Sequence, residues 1–220
     1  MHPLTERVAI RAAQYVAEGS VRDVAGAIRV ALEREHAPPG AAPTAGLVRR
    51  HLAPMLMQVL GAEGYPAMLR GRLELAESVM TVLEEHVDVI GTLLVGRAAA
   101  GRLDGDMTLH IRVYTRRRIG DIAEDLVTFG FEEPRFVTVE SRIGRLDRLL
   151  FECDGVAVAV TRCLPERRMP QRGRGRAEGS RRRPRGLPPG SATDLVRGTA
   201  VATLDLERLR EFLAALDEAA

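Results

Sequence analysis

The stretch that decides the fold is Leu93–Tyr114, LLVGRAAAGRLDGDMTLHIRVY. It follows the apolar, β-branched run VDVIGT and ends that run at Gly96, so residues up to Val95 read as a buried strand. Gly101 comes five residues after Gly96, and the acids Asp104 and Asp106 follow it. Apolarity then resumes with period two. Met107, Leu109, Ile111 and Val113 point one way, and Thr108, His110, Arg112 and Tyr114 the other. The order is therefore strand, glycine turn, strand. A strand entering such a turn presents backbone N–H groups that suit phosphate oxygens. Carboxylates spaced by two on the next strand share a face and can grip Mg²⁺. Arg97 and Thr108 stand where such a site would place a small hydroxyl and a second carboxylate.

Working outward, the residues before His86 carry helical periodicity. TERVAIRAAQYVAEG predicts a helix capped at Thr5 and stopped at Gly19, and SVRDVAGAIRVALEREH a second, begun at Ser20 and Asp23. APPGAAPTAG is a loop. A third helix runs through TAGLVRRHLAPMLMQVLGAEG, bent or begun afresh near Pro54, and a fourth through YPAMLRGRLELAESVMTVLEEH. After Tyr114, IGDIAEDLVTFGF predicts a helix ended by Gly130, and RFVTVES a strand. RLDRLLFECDGVAVAVTRC predicts two strands joined at Asp154-Gly155, a hairpin dipeptide. TLDLERLREFLAALDEA closes the chain as a helix capped by Thr203 or Asp205. The expected class is α+β, a helical N-terminal region followed by a mixed sheet flanked by helices.

Composition removes several chemistries. All 32 basic residues are arginine, so phosphate loops, Schiff-base sites and kinase sites that need lysine are excluded. Cys153 and Cys163 lack metal-ligand spacing. No apolar run is long enough to span a membrane, and the N-terminus reads as an amphipathic helix instead of a signal, so no membrane partner and a cytoplasmic location are expected. Pro165–Gly190 holds nine arginines and two glutamates, a net charge of +7, which leaves −5 for the rest of a chain whose total is +2. That tract is too poor in apolar residues to order itself. It is either a solvated loop or a phosphate-contacting, salt-sensitive segment for nucleic acid. No aromatic residue is interleaved to stack on bases.

VGRAAAGRLDGDMTLHI resembles the signature of the DNA polymerase β-like nucleotidyltransferases. Gly96 and Gly101 match its two glycines, and Gly105-Asp106-Met107 matches the approach to its first metal acid. The resemblance covers roughly residues 71–164. It implies nucleotide contacts at Gly96, Arg97, Gly101 and Thr108, a metal ligand at Asp106, and Mg²⁺ bound together with nucleotide. Departures accompany the matches. Arg97 replaces the family's phosphate-contacting serine, Thr108 its second acid, and Ala159 in GVAVAVTRC its third. Uncharacterised proteobacterial proteins with helices joined to such a domain are also similar. The resemblance thus implies a catalytically degenerate member that binds a nucleotide, a nucleic acid or a protein partner in a regulatory role.

Other readings of the same residues stay open. Gly96 and Gly101 also suit a plain tight turn, and Asp106 a strand-start acid. Arg97 suits a phosphate or an ion pair with Asp106. His110 suits a general base or a structural residue. An active Mg²⁺-dependent enzyme with displaced ligands and a helical interaction module are the alternative functions. The expected organisation is a helical region over 1–70, a nucleotidyltransferase-like core over 71–164, an Arg/Gly/Pro-rich segment over 165–192, and a closing strand or loop with a helix over 193–220. Oligomeric state is not legible in the sequence.

Overall fold

The computed structural model of the chain describes residues 3–21, 23–86, 88–103, 108–166, 187–188 and 191–218. It has the expected α+β architecture, with N-terminal helices followed by a six-stranded mixed sheet. The chain forms two compact units, one of residues 1–69 and 101–107, the other of 70–100 and 108–220.

In the first unit, α1 (Pro3–Ala17) and α2 (Val24–Arg34) pack small residues together. Val8, Ala9, Ala12, Ala13, Ala27 and Ala31 are fully buried, and alanine at these positions lets two helices approach closely. α1 begins at Pro3, so Thr5 lies inside its first turn and does not cap it; proline's fixed φ suits that first turn. Asp23 caps α2, its Oδ1 accepting the Gly26 amide at 2.7 Å. Thr44 opens α3 (Ala45–Glu84) in the same way, accepting the Leu47 amide at 3.3 Å. α3 breaks at Gly61 (φ 75°, ψ 179°), in the GAEG that separates the expected third and fourth helices, and the further bend expected near Pro54 is not observed. Glycine reaches that conformation without a Cβ penalty, whereas proline keeps a helical φ and only forfeits a hydrogen bond.

In the second unit, the strands are β1 (Val89–Val95), β2 (Leu109–Thr115), β3 (Arg135–Ser141), β4 (Gly144–Cys153), β5 (Val156–Cys163) and β6 (Thr203–Leu204). Their order is β3-β4-β5-β2-β1-β6, with β2 and β5 parallel and all other neighbours antiparallel. The β4–β5 hairpin turns at Asp154 (φ 51°) and Gly155 (φ 72°), the two left-handed residues that this dipeptide supplies. α4 (Ile119–Thr128) fills the connection from β2 to β3 and ends at Gly130. α5 (Leu206–Glu218) is capped by Asp205, whose Oδ1 accepts the Arg208 amide at 2.9 Å, while Thr203 belongs to β6.

One half-buried carboxylate joins helix to sheet. Glu84 Oε1 accepts both the Thr92 amide (2.7 Å) and the Thr92 hydroxyl (2.6 Å) at a residue with no exposed surface. The face of the sheet that carries Leu93, Val95, Tyr114, Leu146 and Cys163 is covered by Leu195, with Leu187 and Ile143 packed beside it. Leu187 belongs to the arginine-rich tract and Leu195 follows it, so the end of a segment expected not to order itself packs into this core.

Candidate functional site

The strand registers bring four side chains to one face of the sheet. β2 is aligned with β5 so that His110 lies beside Ala159 and Arg112 beside Thr161. β4 is aligned with β5 so that Arg148 lies on the other side of Thr161. Arg112, Thr161 and Arg148 therefore form one cross-strand row, with His110 and Ala159 in the next. This row opens onto a cleft of about 140 Å³, lined also by Gly96 at the end of β1 and by Asp194 and Leu195 from the covering segment.

Arg112 is only 4% exposed. One of its terminal nitrogens donates to the carbonyls of Ser191 and Thr193, both at 2.8 Å, which fastens the covering segment to the sheet. Arg148 Nε donates to the Thr161 hydroxyl at 2.9 Å. Neither guanidinium has a carboxylate partner among the described residues. Burial, and then the like charge of Arg112, push the Arg148 guanidinium below its ordinary value. Asp194 is committed to its own turn, its Oδ1 accepting the amides of Val196 (2.9 Å) and Arg197 (2.6 Å).

Two acidic groups sit in the same core. Burial pushes the Cys163 thiol up to about 11 and the Tyr114 hydroxyl up to about 12. Cys163 is thus held as an unreactive thiol. Cys153 lies at the far end of the β4–β5 hairpin, and both cysteines are free.

The residues singled out in the sequence are distributed as follows. Gly96 (φ 92°) ends β1 and lines the cleft, and its amide donates to the Ala202 carbonyl at 2.9 Å. Arg97 follows, exposed, its carbonyl accepting the Ala100 amide. Thr108 is half-buried immediately before β2. Gly101 (φ 68°) belongs to the first unit, where the nearby Leu103 amide donates to the Tyr65 hydroxyl at 3.1 Å. Asp104 and Asp106 lie outside the described residues, as do 167–186 of the arginine-rich segment. His51 pairs with Glu6 at 2.6 Å and His86 with Asp125 at 3.0 Å, so neither reaches this cleft.

Among the described residues, the donor set at the cleft does not fit a pair of Mg²⁺ ions. Mg²⁺ wants several charged oxygens, and the described lining supplies guanidinium, imidazole and hydroxyl groups with one carboxylate already bonded to two amides. It suits an anion instead. Arg112 and Arg148 were not singled out in the sequence. A signal for them was present, since each is a cation in phase with apolar neighbours on its strand: Arg112 with Tyr114, and Arg148 between Leu146 and Leu150.

The chain was compared with family models, with curated proteins and with solved structures, and none of them matches it.

Proposed function

We propose that this chain is a catalytically degenerate nucleotidyltransferase-fold protein. Its cleft beside Gly96 binds a phosphate-bearing ligand, a nucleotide first among them, in a regulatory role. The observation that carries this reading is the alignment of β2 with β5. The resemblance requires the strand of the third acid to lie next to the strand of the first two. β5 pairs with β2, and Ala159, at the third acid's position, lies beside His110 on the cleft-bearing face. At the family's second and third acid positions stand Thr108 and Ala159, and the same face carries Thr161, Arg112 and Arg148 beside them. Such a surface attracts a polyanion directly and leaves the two-metal step without its second and third acids.

The test is thermal stability with ATP, CTP, GTP and UTP, each with and without Mg²⁺. Metal-independent stabilisation by at least one nucleotide is the expected result. Stabilisation that requires Mg²⁺, with transfer of a nucleoside monophosphate to an acceptor, would establish the active alternative. Absence of any shift would remove nucleotide binding and leave the helical interaction module ahead.

A further inference from the structure

We infer that the Arg112–Thr161–Arg148 row is a metal-free seat for a single dianionic phosphate group, the phosphate of a monoester or inorganic phosphate itself. The inference rests on the proposed function insofar as the ligand enters the same cleft. It adds which part of the ligand is read, by which residues, and that no metal takes part.

Four observations converge on it. The first is charge without a counter-charge. Two guanidinium groups flank one threonine in a single cross-strand row, and no described carboxylate pairs with either. Two like charges held together in a partly buried cleft cost free energy that an anion between them recovers. Burial first, and the charge of Arg112 second, hold the Arg148 guanidinium below its ordinary value.

The second is division of labour. Arg112 is fixed in place by the Ser191 and Thr193 carbonyls, so its charge is preorganised. Arg148 is oriented through Nε by the Thr161 hydroxyl, and its two terminal nitrogens have no protein partner among the described residues. A guanidinium with both terminal nitrogens open is the fork that matches two oxygens of a phosphate.

The third is size. A cleft of about 140 Å³ is well below the roughly 300–1,000 Å³ of sites that enclose whole small molecules. It accommodates one tetrahedral anion, and the remainder of a larger ligand would extend past His110 and Gly96 at its mouth.

The fourth concerns the turn. The Gly96 amide, which the sequence offers to phosphate, is already bonded to Ala202. Anion recognition on this face therefore falls to side chains.

The experiment is calorimetric titration of the full chain in EDTA at constant ionic strength, with inorganic phosphate, AMP and ATP as probes. Phosphate and AMP are expected to bind, with affinity falling below about pH 6 as the dianion gains a proton. Arg148→Gln is expected to weaken both by about ten-fold or more. Arg145→Gln removes the same charge from an exposed position of β4 and is expected to leave them unchanged. Arg148→Lys, which keeps the charge but not the fork, should fall between. If Arg148→Gln does not fold, Thr161→Val, which removes the orienting hydroxyl, serves in its place and should also weaken binding.

Phosphate affinity equal in the wild type and the Arg148→Gln protein would overturn the inference, as would binding that appears only with Mg²⁺. The two readings separate cleanly. Nucleotide binding that survives Arg148→Gln sinks this seat and leaves the proposed function standing. Phosphate binding lost in Arg148→Gln, with no nucleotide bound at all, supports the seat and sinks the nucleotide reading.

Discussion

Arg112→Met is the substitution from which most is learned. One nitrogen of Arg112 holds two carbonyls, of Ser191 and Thr193, at 2.8 Å each, in a residue almost without exposed surface. Hydrogen bonds from a charged group contribute about 1.5–3 kcal/mol each, so their loss removes roughly 3–6 kcal/mol. Methionine returns part of this by filling the space with apolar bulk and by ending the repulsion with Arg148. The net destabilisation of the second unit is then about 2–4 kcal/mol, and its urea midpoint should fall by about 1–2 M. The loss should also be local before it is global. Leu195 O accepts the Arg142 amide at 2.9 Å and Ala202 O accepts the Gly96 amide at 2.9 Å, so both amides depend on the covering segment staying down. Hydrogen exchange in Arg112→Met should speed up at Arg142 and Gly96 while Ile111 and Val160, inside the sheet, keep their protection. A midpoint unchanged within error, together with unchanged exchange at Arg142 and Gly96, would refute the role assigned to Arg112 as the fastener of residues 191–202.

Glu84→Ala should cost about 2–5 kcal/mol by urea denaturation, because it strands the amide and hydroxyl of buried Thr92 together; a loss under 1 kcal/mol would show that water replaces the carboxylate. Asp205→Ala should lower stability by about 1 kcal/mol through the lost α5 cap, with the helix frayed at its first turn by exchange. Gly198→Ala should destabilise the turn, since φ is 74° and an added Cβ would lie 2.8 Å from Arg142 Cζ, whereas Gly96→Ala meets nothing within 4 Å and should cost only the backbone strain of about 1–2 kcal/mol. Stability should fall as pH rises from 9 to about 12. Cys163 and Tyr114 keep their protons longer folded than unfolded, so the unfolded chain ionises first, over 9 to about 11 and 10 to about 12 respectively. Cys163→Ala combined with Tyr114→Phe should flatten that profile, and an equal slope in the double variant would reject it.

The parts of the fold that were legible in the sequence are those set by neighbours along the chain. Asp154-Gly155 specifies its hairpin because both residues tolerate positive φ, and the alternation from Met107 to Tyr114 specifies which side chains of β2 share a face. The break in α3 lies in GAEG, where the sequence parts its third helix from its fourth, because Gly61 takes φ 75° and ψ 179° without strain, whereas Pro54, the louder local signal for a bend, keeps a helical backbone. The covering segment was not legible at all. SATDLVRGTAVATL reads only as strand or loop, and its position is fixed by Arg112, 79 residues before Ser191, and by Arg142 against Gly198. Contacts at such separations leave no periodic trace. The same holds for the site: Arg112 was visible as a residue facing the same way as His110, but its neighbour across the sheet is Arg148 on a strand two connections later, and only the register unites them.

Gly96 links the sequence reading to the site. Its turn survives in the structure, with φ at 92° where glycine has no competitor, yet its amide is bonded to Ala202. A backbone donor paired with a carbonyl inside the fold cannot also hold a phosphate oxygen without breaking that pair, at a cost near that of one hydrogen bond. Retention of a glycine turn therefore says little by itself about retention of phosphate contacts. What remains able to draw an anion is the positive charge of Arg112 and Arg148 on the neighbouring strands. Under the proposed function, Thr108 and Ala159 at acid positions and the guanidinium pair beside them belong together. Once the metal's charge is gone, the like-signed cleft needs its own cations to attract the same kind of ligand. Restoring acids alone, as in Thr108→Asp with Ala159→Asp, should then weaken phosphate binding in EDTA, because each new carboxylate repels the anion. An increase in metal-free phosphate affinity in that double variant would show that the guanidinium row does not govern the cleft.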